Sequence, residues 1–215
     1  MKTRAPATTT RVPSGFLTLL IGLALVGVGV AMTIRAEIGV APFDVLTTGL
    51  VEMTGIEIGL AAMLVPVVFI GLAALLGAKP GPGTVITVLL VGPILGVALR
   101  VLPELETLTP RVVLFLSGFA LVTLGITAVV VADVGPGPSE ILMLAVHRKG
   151  VALAPARTAI EVASVLIGWA MGGQVGAGTV IVAVLIGPAL KQTLSAVGFD
   201  PLEADLASTI ASPGA

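Results

Sequence analysis

The sequence carries one long segment twice. GPGTVITVLLVGPIL at 81–95 returns as GAGTVIVAVLIGPAL at 176–190, and the copies are identical at 9 of 15 positions without a gap. A weaker pair precedes it, in which AEIGVAPFDVL at 36–46 matches ADVGPGPSEIL at 132–142. A spacing of 95 residues exceeds that of solenoid repeats, which recur about every 20–50 residues. In an apolar chain it predicts a duplicated membrane unit, whose working site often lies where the two halves meet.

Composition narrows the class of protein. Hydrophobic residues form 56% of the chain and charged residues 11%, whereas about 25% of a soluble domain is charged, so the chain is suited to a lipid bilayer. The net charge of −1 excludes the basic face that nucleic acid binding requires. Cysteine is absent, and the single histidine, His147, is interpreted as a solvated loop residue rather than a metal ligand. No catalytic triad, metal cluster or nucleotide-binding motif is recognisable, so we expect neither an enzyme nor a cofactor.

Six apolar segments are long enough to span a bilayer. The first covers 19 residues, about 28 Å as a helix, which exceeds the apolar core of a signal peptide, so we interpret it as an uncleaved helix. The segments form two membrane repeats, 16–102 and 112–196, joined by a linker at 103–111. A cytoplasmic segment at 1–15 precedes them, and an acidic tail at 197–215 follows. The predicted spans are 16–34, 58–77, 84–102, 112–132, 155–173 and 179–196.

Two further stretches, 42–55 and 138–150, are typical of helices that are too short to cross. Each opens with proline, which suits a first helical turn, and soon continues with an acid, which suits a helix N-terminus. We predict that both are interfacial or re-entrant half-helices. The expected fold is therefore all-α and integral to the membrane, with about six transmembrane helices in two inverted three-helix repeats, each with one half-helix.

The placement of lysine and arginine predicts the orientation. With six crossings and a cytoplasmic N-terminus, eight of these residues lie inside and three outside. An odd number of crossings per repeat then makes the duplication inverted. If both short stretches crossed, eight helices would give parallel repeats and a split of nine to two. Segment length, rather than charge, therefore selects six crossings.

Two glycine-proline pairs lie within predicted helices at matched repeat positions. Proline removes a backbone donor and strains the preceding turn. Gly92-Pro93 and Gly187-Pro188 are therefore interpreted either as helix breaks around a central site at the repeat interface, or as kinks that allow close packing.

The repeated segments also open alike, with a glycine-rich turn before a threonine. This pattern predicts Thr84 and Thr179 as helix N-caps. Exposed amides at such a helix start can hold an anion, but the lysine and hydroxyl of a phosphate-binding loop do not follow, so capping is the favoured interpretation.

Matched acids are the sharpest chemical signal. Glu37 matches Asp133 and Asp44 matches Glu140, so each repeat carries a pair of acids that leads into its half-helix. Acids in a membrane are costly, so these side chains are predicted to line the path of a substrate or ion. The alternative is that they are helix-terminal groups in contact with lipid headgroups. Arg35 is expected to neutralise Glu37 locally.

Glu161 is the most interior acid. It replaces Pro66 of the first repeat and lies about 9 Å into its helix. Arg157, four residues earlier, is on the same helix face, so the two charges form either a structural pair or part of a proton-linked gate. This difference between the halves is one way in which a symmetric scaffold can favour one direction of transport.

At these motifs the chain resembles the YczE/YyaS/YitT group of bacterial multi-pass membrane proteins, and the YczE branch in particular. The resemblance covers residues 16–196. The soluble C-terminal domain of the YitT branch has no counterpart here. A further, mild departure is that Phe43 stands where the family usually has another aromatic residue, such as tryptophan. The resemblance implies an inner-membrane protein with a transport role and supplies no substrate or catalytic residue. The residues that carry it are Ala36, Gly39, Pro42, Asp44, Val45, Leu46, Gly49, Leu50, Thr54, Gly55, Ile56 and the opening at 81–86.

These observations lead to two hypotheses. The first is a secondary transporter or permease of a small solute, with broken helices at the repeat interface and an ion gradient as its motive force. The second is a non-transporting membrane scaffold or accessory subunit. The expected surroundings are a lipid bilayer and a small-molecule solute or ion, without nucleic acid or metal, and homo-oligomers are compatible with the sequence.

Overall fold

Eight helices make up the described part of the chain in the computed structural model, which covers residues 15–133, 135 and 137–199. The predicted cytoplasmic segment and nearly all of the predicted tail, at 1–14 and 200–215, lie outside the described residues. The helices are α1 (Gly15–Ala36), α2 (Pro42–Thr54), α3 (Ile58–Leu75), α4 (Pro82–Val101), α5 (Leu108–Ala132), α6 (Pro138–His147), α7 (Leu153–Ala170) and α8 (Ala177–Ala196).

Six of these helices are long and apolar enough to cross a bilayer, namely all except α2 and α6. Large apolar side chains are exposed along their outer faces, as for Leu75, Val101 and Val184. Lipid tails provide partners for such side chains, so an outward apolar surface is stable in a bilayer. The prediction of an all-α, multi-pass membrane protein is confirmed.

Glycine contacts hold α1 against α5. Gly22 lies against Gly125 and Gly29 lies against Gly118, so the two helices run antiparallel with their backbones in contact. Small residues allow this approach, and close van der Waals packing is a main source of helix association in lipid. The α1–α5 pair joins the first half of the chain to the second.

Three ion pairs mark one end of the helix bundle, which we call the ion-pair end. Arg100 pairs with Glu57 where α4 ends and α3 begins, and the other two pairs are Arg35–Glu104 and Arg111–Glu37. Lys79 lies in the turn between α3 and α4, at the opposite end, which we call the lysine end.

The two short helices lie between the halves and contact both. Both α2 and α6 pack on α3 and on α7, so each contacts a long helix of the other half. The ring of Phe43, in the first turn of α2, lies 5.0 Å from the ring of Phe69 in a T-shaped contact. Phe69 is about 16 Å along α3 from its start, so α2 begins beside the middle of a spanning helix.

The glycine-proline pairs do not break their helices. Both α4 and α8 continue through Pro93 and Pro188, which are exposed on the outer surface. Gly92 packs against the backbone of Gly59, whereas Gly187 has open space around it, so the pairs do not flank a shared centre. The prediction of broken helices at these positions is therefore wrong. A proline costs one helical hydrogen bond, and a helix embedded in lipid keeps its remaining hydrogen bonds rather than opening.

Candidate functional site

The entry to α2 lies on the start of α8. Gly39 has φ +120°, and a methyl group there would lie 2.8 Å from the backbone nitrogens of Gly176 and Thr179. The backbone nitrogen of Gly178 donates a hydrogen bond of 3.0 Å to the carbonyl oxygen of Ile38. The acidic motif of the first repeat therefore contacts the glycine-rich opening of the second.

The reciprocal contact is looser. Gly135 has φ +119°, and a methyl group there would lie 3.8 Å from the Cα atom of Gly81 and 4.0 Å from the hydroxyl oxygen of Thr84. The two motifs that recur in the sequence thus meet each other across the halves, in both directions. This arrangement places the starts of α2 and α6 next to helix starts of the opposite half.

The threonines of the repeated openings are not N-caps. The helices begin two residues earlier, at Pro82 and Ala177, with Gly81 and Gly176 as N-caps, so the two threonines occupy the third helical position. The hydroxyl of Thr179 accepts a hydrogen bond of 3.2 Å from the backbone nitrogen of Gly176, so it still stabilises the helix start. The prediction missed this because a glycine can serve as the N-cap without a side-chain acceptor.

Asp44 lies in the first turn of α2, outside the six spanning helices. Its carboxylate forms no hydrogen bond or ion pair within the described residues, and the next residue, Val45, is fully buried. Burial raises the pKa of Asp44 to about 7, because a desolvated carboxylate disfavours its charge. Asp44 is therefore an acid able to exchange a proton near neutral pH.

Two threonines follow Asp44 on the same side of α2, at the third and fourth positions after it. The hydroxyl of Thr48 accepts a hydrogen bond of 3.0 Å from the backbone nitrogen of Gln174. The hydroxyl of Thr47 is buried and has no hydrogen-bond partner among the described residues, and the same holds for the side-chain oxygen of Gln174. Buried oxygens without partners are uncommon, because each lost hydrogen bond costs about 1–3 kcal/mol.

Thr47, Thr48 and Gln174 were not predicted from the sequence. For the two threonines the available signal was their spacing from Asp44 on one short helix. Gln174 gave none, because its approach to α2 depends on the contact between α2 and α7, where Gly49 and Gly168 bring the two backbones together.

A second group of predicted residues surrounds a cavity of about 80 Å³ between α6 and α7. Its volume corresponds to two or three water molecules, at about 30 Å³ each. The Nε atom of Arg157 donates a hydrogen bond of 2.8 Å to the carboxylate of Glu161. Glu140 accepts a hydrogen bond of 3.0 Å from the hydroxyl of Ser139. The cavity is lined by Ser139, Glu140, Met143, Arg157, Ile160 and Glu161.

The structure thus brings Glu140 and Glu161 together, whereas Asp44 lies on the other short helix. Glu37 belongs to neither group, because it pairs with Arg111 at the ion-pair end. Arg35 does not neutralise Glu37 as expected; it pairs with Glu104 and donates a hydrogen bond to the carbonyl oxygen of Leu99. The expectation was wrong because α1 ends between these two residues, so closeness in sequence does not bring their side chains together.

Asp133 lies at the end of α5, with φ +50°, and its backbone nitrogen donates to the carbonyl oxygen of Val130. Its counterpart Glu37 has φ +53° at the end of α1. Both acids therefore occupy left-handed helix ends, as in the alternative of helix-terminal groups. No group of histidine, cysteine, aspartate and glutamate side chains in the described residues has the arrangement of a metal site.

Comparison with known proteins gives a family without an assigned activity. Residues 14–194 match the family described as "Family of unknown function (DUF6198)". The "Uncharacterized membrane protein YczE" of Bacillus subtilis (strain 168) is 29% identical over 176 residues, which cover 80% of this chain and 82% of the relative. An "Uncharacterized protein" of Haemophilus influenzae is 27% identical over 180 residues, which cover 83% of each chain. No solved structure matches. The predicted resemblance to the YczE group is confirmed.

Proposed function

This chain belongs to the family of unknown function DUF6198, and from its site geometry we propose that it is a secondary transporter or permease of a small solute in the inner membrane. The observation that carries the proposal is the pair α2 and α6. Each helix is too short to cross, carries an acid in its first turn and packs on a spanning helix of the opposite half. Short helices that begin inside a bundle are the feature from which many transporters build their binding sites.

We infer that the two halves are inverted repeats. The contact of Gly22 with Gly125 becomes the contact of Gly118 with Gly29 when each residue is replaced by its counterpart 96 residues away. A two-fold axis in the membrane plane produces this exchange, and it requires the equivalent helices α1 and α5 to be antiparallel. In this arrangement α2 and α6 are re-entrant from opposite faces.

Acids at the starts of these half-helices would define the path. Asp44 lies in the first turn of one half-helix, α2, and Glu140 and Glu161 line the cavity beside the other, α6. The oxygens of Thr47 and Gln174, which lack hydrogen-bond partners in the described part of the chain, offer further polar contacts to a solute or ion. Glu37 and Asp133 would lie at the two mouths, as helix-end groups rather than as binding groups. An ion gradient supplies the driving force, since no nucleotide-binding motif is recognisable in the sequence.

The test is a flux assay in proteoliposomes that contain a trapped pH-sensitive dye and are exposed to a panel of small metabolites. We expect at least one solute to drive proton movement with the wild-type protein. Asp44→Asn and Glu140→Gln should reduce that rate by about ten-fold or more, because acids on a membrane path act through their charge or proton. Glu106→Gln is the matched control, since Glu106 is exposed between α4 and α5. Unchanged flux in both path variants would contradict the proposal.

A non-transporting scaffold is the second candidate. It is favoured by the separation of α7 and α8, which make almost no contact with each other although their counterparts α3 and α4 pack closely. Such separation leaves a lateral surface that a partner in the membrane can occupy. A scaffold would leave the proteoliposomes without solute-driven flux under every condition of the panel.

A further inference from the structure

A crevice of about 510 Å³ opens between α7 and α8. Its size is in the range of sites that bind small organic molecules, about 300–1,000 Å³. The residues that define it are Arg157 on α7, with Leu190, Lys191, Leu194, Ser195 and Phe199 on or just after α8.

Two charged residues distinguish the helices that line the crevice from their counterparts in the first repeat. The counterparts of Arg157 and Lys191 in the first repeat, 95 residues earlier, are Ala62 and Gly96. Both counterparts are buried, and a methyl group on Gly96 would lie only 3.6 Å from the Cα atom of Gly59. Small residues thus lie between α3 and α4 where these helices pack, whereas α7 and α8 carry two long cationic side chains at the same positions and make almost no contact with each other.

Two basic residues and no acid line the described wall of the crevice, although Arg157 forms an ion pair with Glu161 on its own helix. Arg157 donates to Glu161 through Nε, and its terminal nitrogens make no hydrogen bond within the described residues. Lys191 is exposed and forms no ion pair in the described part of the chain. Lys191 and the terminal nitrogens of Arg157 therefore remain available to donate charge-assisted hydrogen bonds to an anion in the crevice.

The position of the charges favours a lipid over a free anion. Arg157 lies about 6 Å from the start of α7, and Lys191 about 8 Å from the end of α8, so both are close to the lysine end of the bundle. Leu190, Leu194 and Phe199 give the crevice apolar walls of the kind that acyl chains contact. The lysine end is cytoplasmic in the orientation predicted from the sequence, and basic pockets between membrane helices on that side bind anionic headgroups.

We propose that the crevice between α7 and α8 binds one anionic phospholipid, with the phosphodiester held by Arg157 and Lys191 and an acyl chain against the apolar wall of α8. The crevice shares Arg157 with the cavity of Glu140 and Glu161, but the binding of a lipid there does not depend on transport. It explains why the second half of the chain departs from the packing of the first.

The experiment measures lipid binding to the full-length protein in neutral detergent by native mass spectrometry. Phosphatidylglycerol and phosphatidylcholine with identical acyl chains are the two probes. We expect the wild-type protein to bind phosphatidylglycerol more tightly. Lys191→Ala should weaken that binding about five-fold, since one basic residue near a headgroup contributes about this factor. Lys191→Arg should retain it, and Lys191→Glu should abolish the preference for the anionic lipid.

Lys79→Ala is the matched control, because Lys79 is an exposed lysine at the same end of the bundle but outside the crevice. It should leave both affinities unchanged. Equal binding of the two lipids, or an equal loss with Lys79→Ala and Lys191→Ala, would overturn the proposal. Inorganic phosphate that raises the melting temperature as much as phosphatidylglycerol does would overturn the lipid assignment and indicate a free anion instead. A cross-link between two copies through the crevice would overturn it as well and indicate that a second chain fills the gap.

Discussion

Gly29 of α1 lies so close to Gly118 of α5 that a methyl group on Gly29 would be 2.8 Å from the backbone oxygen of Gly118. The same contact recurs seven residues away, between Gly22 and Gly125. Since lipid tails are as apolar as leucine, burial of apolar side chains does not by itself hold two helices together in a bilayer. The contact between α1 and α5 therefore depends chiefly on backbone proximity along this glycine seam.

Gly29→Ala is expected to destabilise the protein. The added methyl group meets backbone atoms that cannot rotate away, and overpacking of this kind costs about 1–3 kcal/mol. The melting temperature in detergent should fall by about 3–10 °C, measured through the fluorescence of Trp169, the only tryptophan. Gly71→Ala is the control, because no atom of the described residues lies within 4 Å of the added group. It should be neutral or stabilising, as alanine favours helix. Equal melting temperatures for the two variants would refute a packed seam.

Gly39→Ala is expected to disturb the contact between the halves at the entry to α2. A φ of +120° is strained for any residue with a side chain, and the methyl group would also approach the start of α8. We expect a loss of about 2–4 kcal/mol, seen as a lower melting temperature and poor yield of folded protein. Gly55→Asn is the control, since Gly55 has φ +71°, which asparagine tolerates, and open space around it. Gly39→Ala protein as stable as this control would contradict the expectation.

The helices could be predicted from the sequence because the length of an apolar segment is a local property of the chain. The predicted spans 58–77 and 84–102 correspond to Ile58–Leu75 and Pro82–Val101. The predicted half-helix at 42–55 is observed as Pro42–Thr54, with Gly55 as a left-handed C-cap. Composition and end signals determine these features, so they are visible without tertiary structure.

Contacts between distant segments were not predictable in this way. The pairing of Gly39 with Gly176 depends on how α1 and α8 are placed by all other helices. The role of Pro93 was misjudged for a related reason, because a proline either breaks or only bends a helix according to the packing around it. The partner of Glu37 also required the fold, since Arg111 is 74 residues away in the chain.

The stability of the protein should depend on pH through Asp44. Its pKa is about 7 in the folded protein, against an ordinary value of 3.8, so between these values the folded state holds a proton that the unfolded state has released. The stabilisation is full below about pH 4 and is lost as pH rises through 7. An asparagine at this position cannot ionise, so the melting temperature of Asp44→Asn should fall about 5–10 °C less than that of the wild type between about pH 5 and pH 8.5.

Glu52→Gln provides the control for this titration, because Glu52 is an exposed acid on the same helix. Its melting temperature should follow the wild-type pH dependence. Parallel curves for Asp44→Asn and the wild-type protein would show that Asp44 ionises in the folded protein as it does in the unfolded chain.

The number of crossings can be tested with single cysteines, since the natural sequence contains none. With six crossings and a cytoplasmic N-terminus, Glu106→Cys lies outside and Lys79→Cys inside. If α2 and α6 also crossed, these two sides would be reversed, because an additional crossing precedes each position. Lys149→Cys is the control, since it lies inside in both arrangements. We expect a membrane-impermeant maleimide added to intact cells to label Glu106→Cys only, and all three variants after the membrane is opened. Labelling of Lys79→Cys but not Glu106→Cys in intact cells would show that the short helices span the bilayer, and the inverted arrangement would then be replaced by parallel repeats.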